Sequence, residues 1–192
     1  MKRWLTALAG LVALTACAPT VEAGAATPEA VFERMRMATQ KKDWKSFYLC
    51  VNPDESNEML FGMAMGCGMV TASNKDAEAE LKALQARHGV VERKESVKVP
   101  FDDKAKLKAA MQEVFGGVKD KPALFADYLA FMEKHSKEKN FAKSLEASAG
   151  ATLREVKIDG ANAVGKCTNA DGKVEDIAFV KHGSAWFLRM EK

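Results

Sequence analysis

Side chains able to do chemistry are few in this 192-residue chain, which has four cysteines, three histidines, two tyrosines and ten methionines. Met59, Met63 and Cys67 stand four apart and would share one face of a helix. Soft thioether and thiolate ligands on one face suit Cu(I). Methionine is also a common filler of irregular cores, and no histidine accompanies the trio, so core packing is the expectation and no metal or cofactor is assigned. His88 and His135 fall at or near helix ends, where a histidine partners the helix dipole or caps the last turn, and His182 falls in a hairpin turn. The sequence has no Cys-x-x-Cys, Gly-x-Ser-x-Gly, His-Glu-x-x-His or phosphate-cradling glycine loop. Cys167 would face the apolar side of a strand beside Gly165, where a free thiol acts as a small hydrophobe unless a neighbour lowers its pKa.

Cys17 is the exception. Lys2 and Arg3 precede an apolar core from Leu5 to Leu14, and small residues follow at Thr15 and Ala16. That core is too short to span a bilayer, which takes about 20 apolar residues, and it reads as an export signal. The run Leu14-Thr15-Ala16-Cys17 resembles the bacterial lipobox, in which the leader is cut before the cysteine and the cysteine carries the lipid. The alternative is ordinary cleavage after Ala23 or Ala26, with Cys17 discarded. On the lipobox reading, residues 1–16 are the signal, residues 17–26 form a small-residue tether, and residues 27–192 are one domain held at a membrane by acyl chains. An aspartate directly after the cysteine resembles an inner-membrane retention signal. Here the position is Ala18, which points to the outer membrane, facing the periplasm, in a cell that has one.

About 175 residues then remain, enough for a single domain with its own core. Removing Lys2 and Arg3 from 29 basic residues leaves 27 against 26 acidic ones, a net of +1. Mixed charges near neutrality give no electrostatic reason to propose nucleic acid. With Cys17 lipidated, Cys50, Cys67 and Cys167 remain, an odd number, so at least one thiol is free or pairs with another chain. If a helix runs unbroken from Pro53, Cys67 lies about 21 Å along it. That is well beyond the roughly 4.4–6.8 Å between the Cα atoms of a disulfide. Cys50 and Cys67 are therefore expected unbonded, with Cys67–Cys167 as the remaining alternative.

Local signals divide the domain. Thr27-Pro28-Glu29 opens a helix with a cap and a proline at its first position. Asp43 caps a second, short one bearing Trp44, Phe47, Tyr48 and Val51, and Asn52-Pro53-Asp54-Glu55 opens a third. From Met59 to Val70 every residue is apolar or glycine, which predicts a helix buried on most sides. Gly62 and Gly66 would permit close backbone approach. Further helices are expected over 74–87, 102–115 and 120–139, with a short edge strand at Val97–Phe101.

From Thr152 to Met190 the period changes to two. Strands over 152–158, 163–168, 173–180 and 185–190 are separated by Asp159-Gly160, Asp171-Gly172 and His182-Gly183. One face would carry Val156, Ile158, Ala163, Gly165, Cys167, Ile177, Phe179, Trp186, Leu188 and Met190. The fold expected is α+β: five to six N-terminal helices packed on a C-terminal four-stranded antiparallel meander. Trp186 and Phe179 should pack on the helix at 59–70. Met63, Cys67, Cys167, Phe179 and Trp186 become the candidate lining of a pocket or core.

The pieces Thr27-Pro28-Glu29-Ala30-Val31, Lys41-Lys42-Asp43-Trp44 and Asp171-Gly172-Lys173, through Phe179-Val180-Lys181 to Gly183-Ser184-Ala185-Trp186, resemble the nuclear-transport-factor-two-like (SnoaL-like, cystatin-like cone) superfamily. The resemblance implies a sheet curled around helices to form a cone-shaped pocket, often in lipoproteins. It covers about half of the chain, and residues 54–150 depart from it with extra helices that could fill the cone. The function expected is a non-enzymatic binding or scaffolding module for a hydrophobic ligand or an envelope partner. The alternative is a small SnoaL-like enzyme using a pocket acid with polar partners. The resemblance would draw that acid and its partners from Tyr48, Tyr128 and Asp176, for which core tyrosines and a solvated aspartate are the plainer reading.

The lipobox makes a direct prediction: Cys17→Ser abolishes incorporation of labelled fatty acid into the exported protein. Undiminished labelling of that variant would place the acyl chain elsewhere.

Overall fold

The alternating pattern at the end of the chain forms the sheet, and the capped segments before it form the helices. The computed structural model describes residues 22–91, 103–136 and 149–190. Six α-helices, α1 (Pro28–Gln40), α2 (Trp44–Tyr48), α3 (Ser56–Ser73), α4 (Glu78–His88), α5 (Lys104–Phe115) and α6 (Lys121–His135), precede four strands. The strands β1 (Thr152–Asp159), β2 (Asn162–Thr168), β3 (Val174–His182) and β4 (Ala185–Arg189) pair antiparallel in the order β1-β2-β3-β4. This is an α+β fold with the helical part N-terminal and the meander C-terminal. The expected strand at Val97–Phe101 lies outside the described residues.

The caps act where their chemistry places them. Thr27 accepts a hydrogen bond from the Ala30 N–H at 3.1 Å, with Pro28 opening α1. Asp43 accepts from the Ser46 N–H at 3.1 Å and from its hydroxyl at 2.6 Å, starting α2 directly after Lys42, whose positive φ of 53° turns the chain. Asn52 accepts from the Asp54 N–H at 3.2 Å and starts a single 3₁₀ turn, Pro53–Glu55, that leads into α3. Asp103 and Asp120 cap α5 and α6 in the same way.

Two cores form. In the helical one, Leu60, Met63 and Cys67 of α3 pack with Phe115 of α5 and with Leu124, Phe125 and Tyr128 of α6. In the other, Val31, Phe32 and Met35 of α1 pack on the inner sheet face at Ala163, Cys167, Phe179, Trp186 and Leu188. The expected contact of Trp186 and Phe179 with α3 is thus replaced by contact with α1. The predicted lining set divides accordingly, Met63 and Cys67 going to the first core and Cys167, Phe179 and Trp186 to the second. Phe47 of α2 packs against both, stacked on Phe125 at 5.9 Å between ring centroids.

Helix α3 is not buried on most sides. Met59, Leu60, Met63 and Cys67 are enclosed, but Met65 and Met69 are 45% and 69% exposed on the opposite side. Gly66 permits the approach of the Met132 thioether, whereas a Cβ at Gly62 would meet nothing within 4 Å. The run is apolar on both faces because its outward positions are Gly and Met rather than Lys or Glu.

The sheet departs from strict alternation at one place. Glu155, with φ 53°, and Val156 together oppose Gly165, a bulge between the pairs Arg154↔Lys166 and Lys157↔Val164. The extra residue brings Leu153 onto the core face beside Val156. A Cβ at Gly165 would lie 2.6 Å from the Leu153 side chain and 3.2 Å from that of Val156. Ile158 and Met190, expected inside, are 59% and 57% exposed at the two outer strands' ends.

This partition sets a stability contrast. Met63→Ala is expected to cost about 2–5 kcal/mol, whereas Met69→Gln should change stability by less than about 0.5 kcal/mol. Urea unfolding of the two variants checks it, and equal losses would mean that the outward face of α3 is covered.

Candidate functional site

The outer edge of β4 collects the pieces of the site. Only one side of β4 pairs with β3; on the other side the Trp186 N–H donates to the Ala25 carbonyl at 2.7 Å and the Ala25 N–H donates back at 3.0 Å. The Leu188 N–H donates to the Cys50 carbonyl at 2.8 Å, and the Asn52 N–H donates to the Leu188 carbonyl at 2.8 Å. The last residues of the expected tether therefore run along the sheet. Gly24, with φ +70°, crosses so closely that a Cβ there would lie 2.7 Å from the Trp186 carbonyl and 2.8 Å from the Phe187 ring.

Phe187 alternates with Trp186 and Leu188 and so points away from the sheet core, yet it is buried. It forms one wall of a groove of about 330 Å³. The other walls are Tyr48 at the end of α2 with Leu49 and Val51 after it, Pro53 and Ser56 leading into α3, and Val118 and Lys119 before α6 with Lys121 and Pro122 at its start. Ala23 also lines it. The surface is mostly apolar, its charged lining residues are Lys119 and Lys121, and it includes no carboxylate and no histidine. The Tyr48 hydroxyl donates to the Ser56 carbonyl at 3.3 Å, and burial pushes its pKa up to about 12, so it stays a neutral wall group. Lys121 Nζ donates to the Asn57 side-chain oxygen at 2.8 Å.

A second hollow, about 460 Å³, lies between α1 and the start of β1. Its carboxylates are Glu29 and Glu33, and Glu33 receives two bonds from Arg36, at 2.9 and 2.7 Å, which hold it below the usual carboxylate range. Such a paired, exposed acid is a poor proton acceptor. Nor do the residues considered for acid–base work meet. Tyr48 lines the groove, Tyr128 is enclosed in the helical core with its hydroxyl accepting from Gln85 Nε2 at 3.4 Å, and Asp176 pairs with Lys166 at 2.6 Å on the outer sheet face.

The histidines each have a partner. His88 lies 2.7 Å from Asp127, and His135 lies 2.9 Å from Glu80, so both tie α4 to α6. His182 is 2.9 Å from the Asn52 side-chain oxygen, whose amide donates to Glu55 at 2.9 Å. Among the described residues no group of three His, Cys, Asp or Glu side chains is arranged to hold a metal ion. Cys67 donates to the Tyr128 carbonyl at 3.7 Å and burial pushes its pKa up to about 12, so the thiolate that Cu(I) would favour is suppressed. Cys50, Cys67 and Cys167 are free thiols.

Leu49, Ser56, Val118, Lys119, Lys121 and Phe187 are groove residues that the sequence did not single out. One signal was present: Trp186-Phe187-Leu188 is three large apolar residues in a strand, which requires cover on both faces. No protein-family model, curated protein or solved structure matches this chain.

The buried thiols and phenols set an alkaline limit. Burial raises Cys50 to about 11 and Cys67, Tyr48 and Tyr128 to about 12 from ordinary values of 9.0 and 10.0. The folded state therefore holds these protons more tightly than the unfolded chain. The stability they contribute is complete below about pH 9 and is lost as pH rises through 9 toward 12. The urea midpoint should hold steady from pH 7 to 8.5 and fall by pH 10.5, and Cys50→Ala should flatten the fall. A midpoint unchanged at pH 10.5 would contradict the burial of these groups.

Proposed function

We propose that this chain is a non-catalytic binding module of the bacterial cell envelope, anchored through lipid on Cys17, that takes an apolar ligand in the groove beside Phe187. The observation carrying this reading is the groove itself: an open, mostly apolar surface of about 330 Å³ whose lining has neither acid nor histidine. Ligand sites are typically concave, apolar and of this order of size, with a few polar groups to orient the guest. The SnoaL-like acid–base alternative needs a carboxylate or histidine inside such a cavity, and the inner sheet face that would form its cone is filled by Val31, Phe32 and Met35.

Kinship with the nuclear-transport-factor-two-like superfamily belongs to the same reading, and α1 lying on a four-stranded meander supports it. The anchor suits the groove's position. Cys17 and Ala23 are six residues apart, at most roughly 20 Å of extended chain, so the groove would operate close to the membrane surface.

Native mass spectrometry of the protein purified from its own envelope tests the reading, compared with a Leu49→Trp variant that fills the groove. An apolar adduct on the parent that is lost from the variant is expected. The same adducts on both, or none on either, would overturn it.

A further inference from the structure

The groove's two lysines lie close together on one wall. Lys119 and Lys121 flank Asp120, and Asp120 is committed elsewhere, accepting from the Ala123 N–H at 2.9 Å as the cap of α6. Among the described residues neither lysine makes an ion pair. The one polar partner of Lys121 is the neutral Asn57 amide, and Lys119 is exposed. Elsewhere Lys42 pairs with Glu133, Lys82 with Glu78 and Lys134 with Glu80. The same groove is lined by the apolar side chains of Leu49, Val51 and Phe187.

We infer that the groove takes a single-chain anionic amphiphile, with its tail against Leu49, Val51 and Phe187 and its carboxylate or phosphate on Lys119 and Lys121. This rests on the reading of the groove as a ligand site and adds the ligand's class. An ammonium beside an apolar surface and without a carboxylate partner gains a charge-assisted hydrogen bond from an anionic head. A tail alone would satisfy the apolar walls but leave both charges uncompensated. The volume, about 330 Å³, stands at the low end of the range for ligand sites, about 300–1,000 Å³; one chain fits that better than two. The occupant is a dispersed monomer such as a free fatty acid or a lysolipid, since a groove walled on several sides cannot lie flat on a bilayer.

The test uses the purified full chain and three soluble probes below their micelle concentrations: decyl phosphate, decanol and decyltrimethylammonium. Binding is read by backbone amide shifts at Val51, Val118 and Phe187. Decyl phosphate is expected to bind about tenfold more tightly than decyltrimethylammonium, the scale of two partly exposed charge contacts. Lys119→Glu should reduce that preference and K119E/K121E should reverse it. The single variant guards against a loss of fold, because the Lys119 side chain is exposed. Equal affinity for all three heads would overturn this inference and leave the apolar groove standing. No probe shifting the groove residues, or shifts confined to Met65 and Met69 on the outward face of α3, would overturn the groove reading as well. Binding to anionic phospholipid vesicles without binding of decyl phosphate would assign the lysines to a membrane surface and overturn the monomer.

Discussion

The fold depends on how β4 disposes of its free edge. A strand buried at the border of a sheet leaves backbone N–H and C=O groups that must find partners. Here the partners come from two distant stretches, Ala25 before α1 and Cys50 to Asn52 after α2. Those bonds draw the start of the domain and the α2–α3 connection onto the last strand. They also explain why Cys50 is fully enclosed although it sits in a connection between helices. Gly24 is required at the crossing because any side chain there would strike both the Trp186 carbonyl and the Phe187 ring.

The same edge joins two cores that otherwise share little. Helices α3 to α6 build an interior of their own, and α1 with the sheet builds the other. Between them stand α2 and residues 49–55. Phe47 and Tyr48 reach Phe125 from one side, and Phe47 also contacts the sheet core. Glu55 locks the connection from the other side. Its carboxylate accepts from the Asn52 amide at 2.9 Å and from the Met190 N–H at 2.6 Å, with Arg189 at 3.8 Å. A buried carboxylate is tolerable only when it is so partnered. The Asn52 side chain is also held by His182, so the cluster is a latch between the start of α3 and the β3–β4 hairpin rather than a proton relay.

Much of this was legible in the residues. The capping sets at Thr27, Asp43, Asn52 and Asp120 act through local chemistry, so helix starts follow from sequence almost without tertiary context. The two-residue period and the glycine turns likewise yield the meander and its order. What was not legible depends on which surfaces meet. The α3 run hides its outward face because Met65 and Met69 look like core residues, and the choice of α1 over α3 as the sheet's cover is made by the β4 edge, which no local pattern records. The bulge at Glu155 escaped because its positive φ falls on a residue type that does not advertise it. The groove was missed for the same reason as the packing, since its walls come from four separate stretches of chain.

The position of the groove follows from this architecture. Two convex cores joined by a short helix leave a cleft on one side of the joint, and the outward Phe187 gives that cleft an apolar wall. Tyr48, Val51 and Val118 belong to the helical core, whereas Phe187 rides on the strand that belongs to the other. The proposed guest would touch both bodies at once and would stabilise their joint by mass action. The groove and the seam are built from the same residues, and the edge of β4 that makes the fold possible also aims Phe187 into the groove.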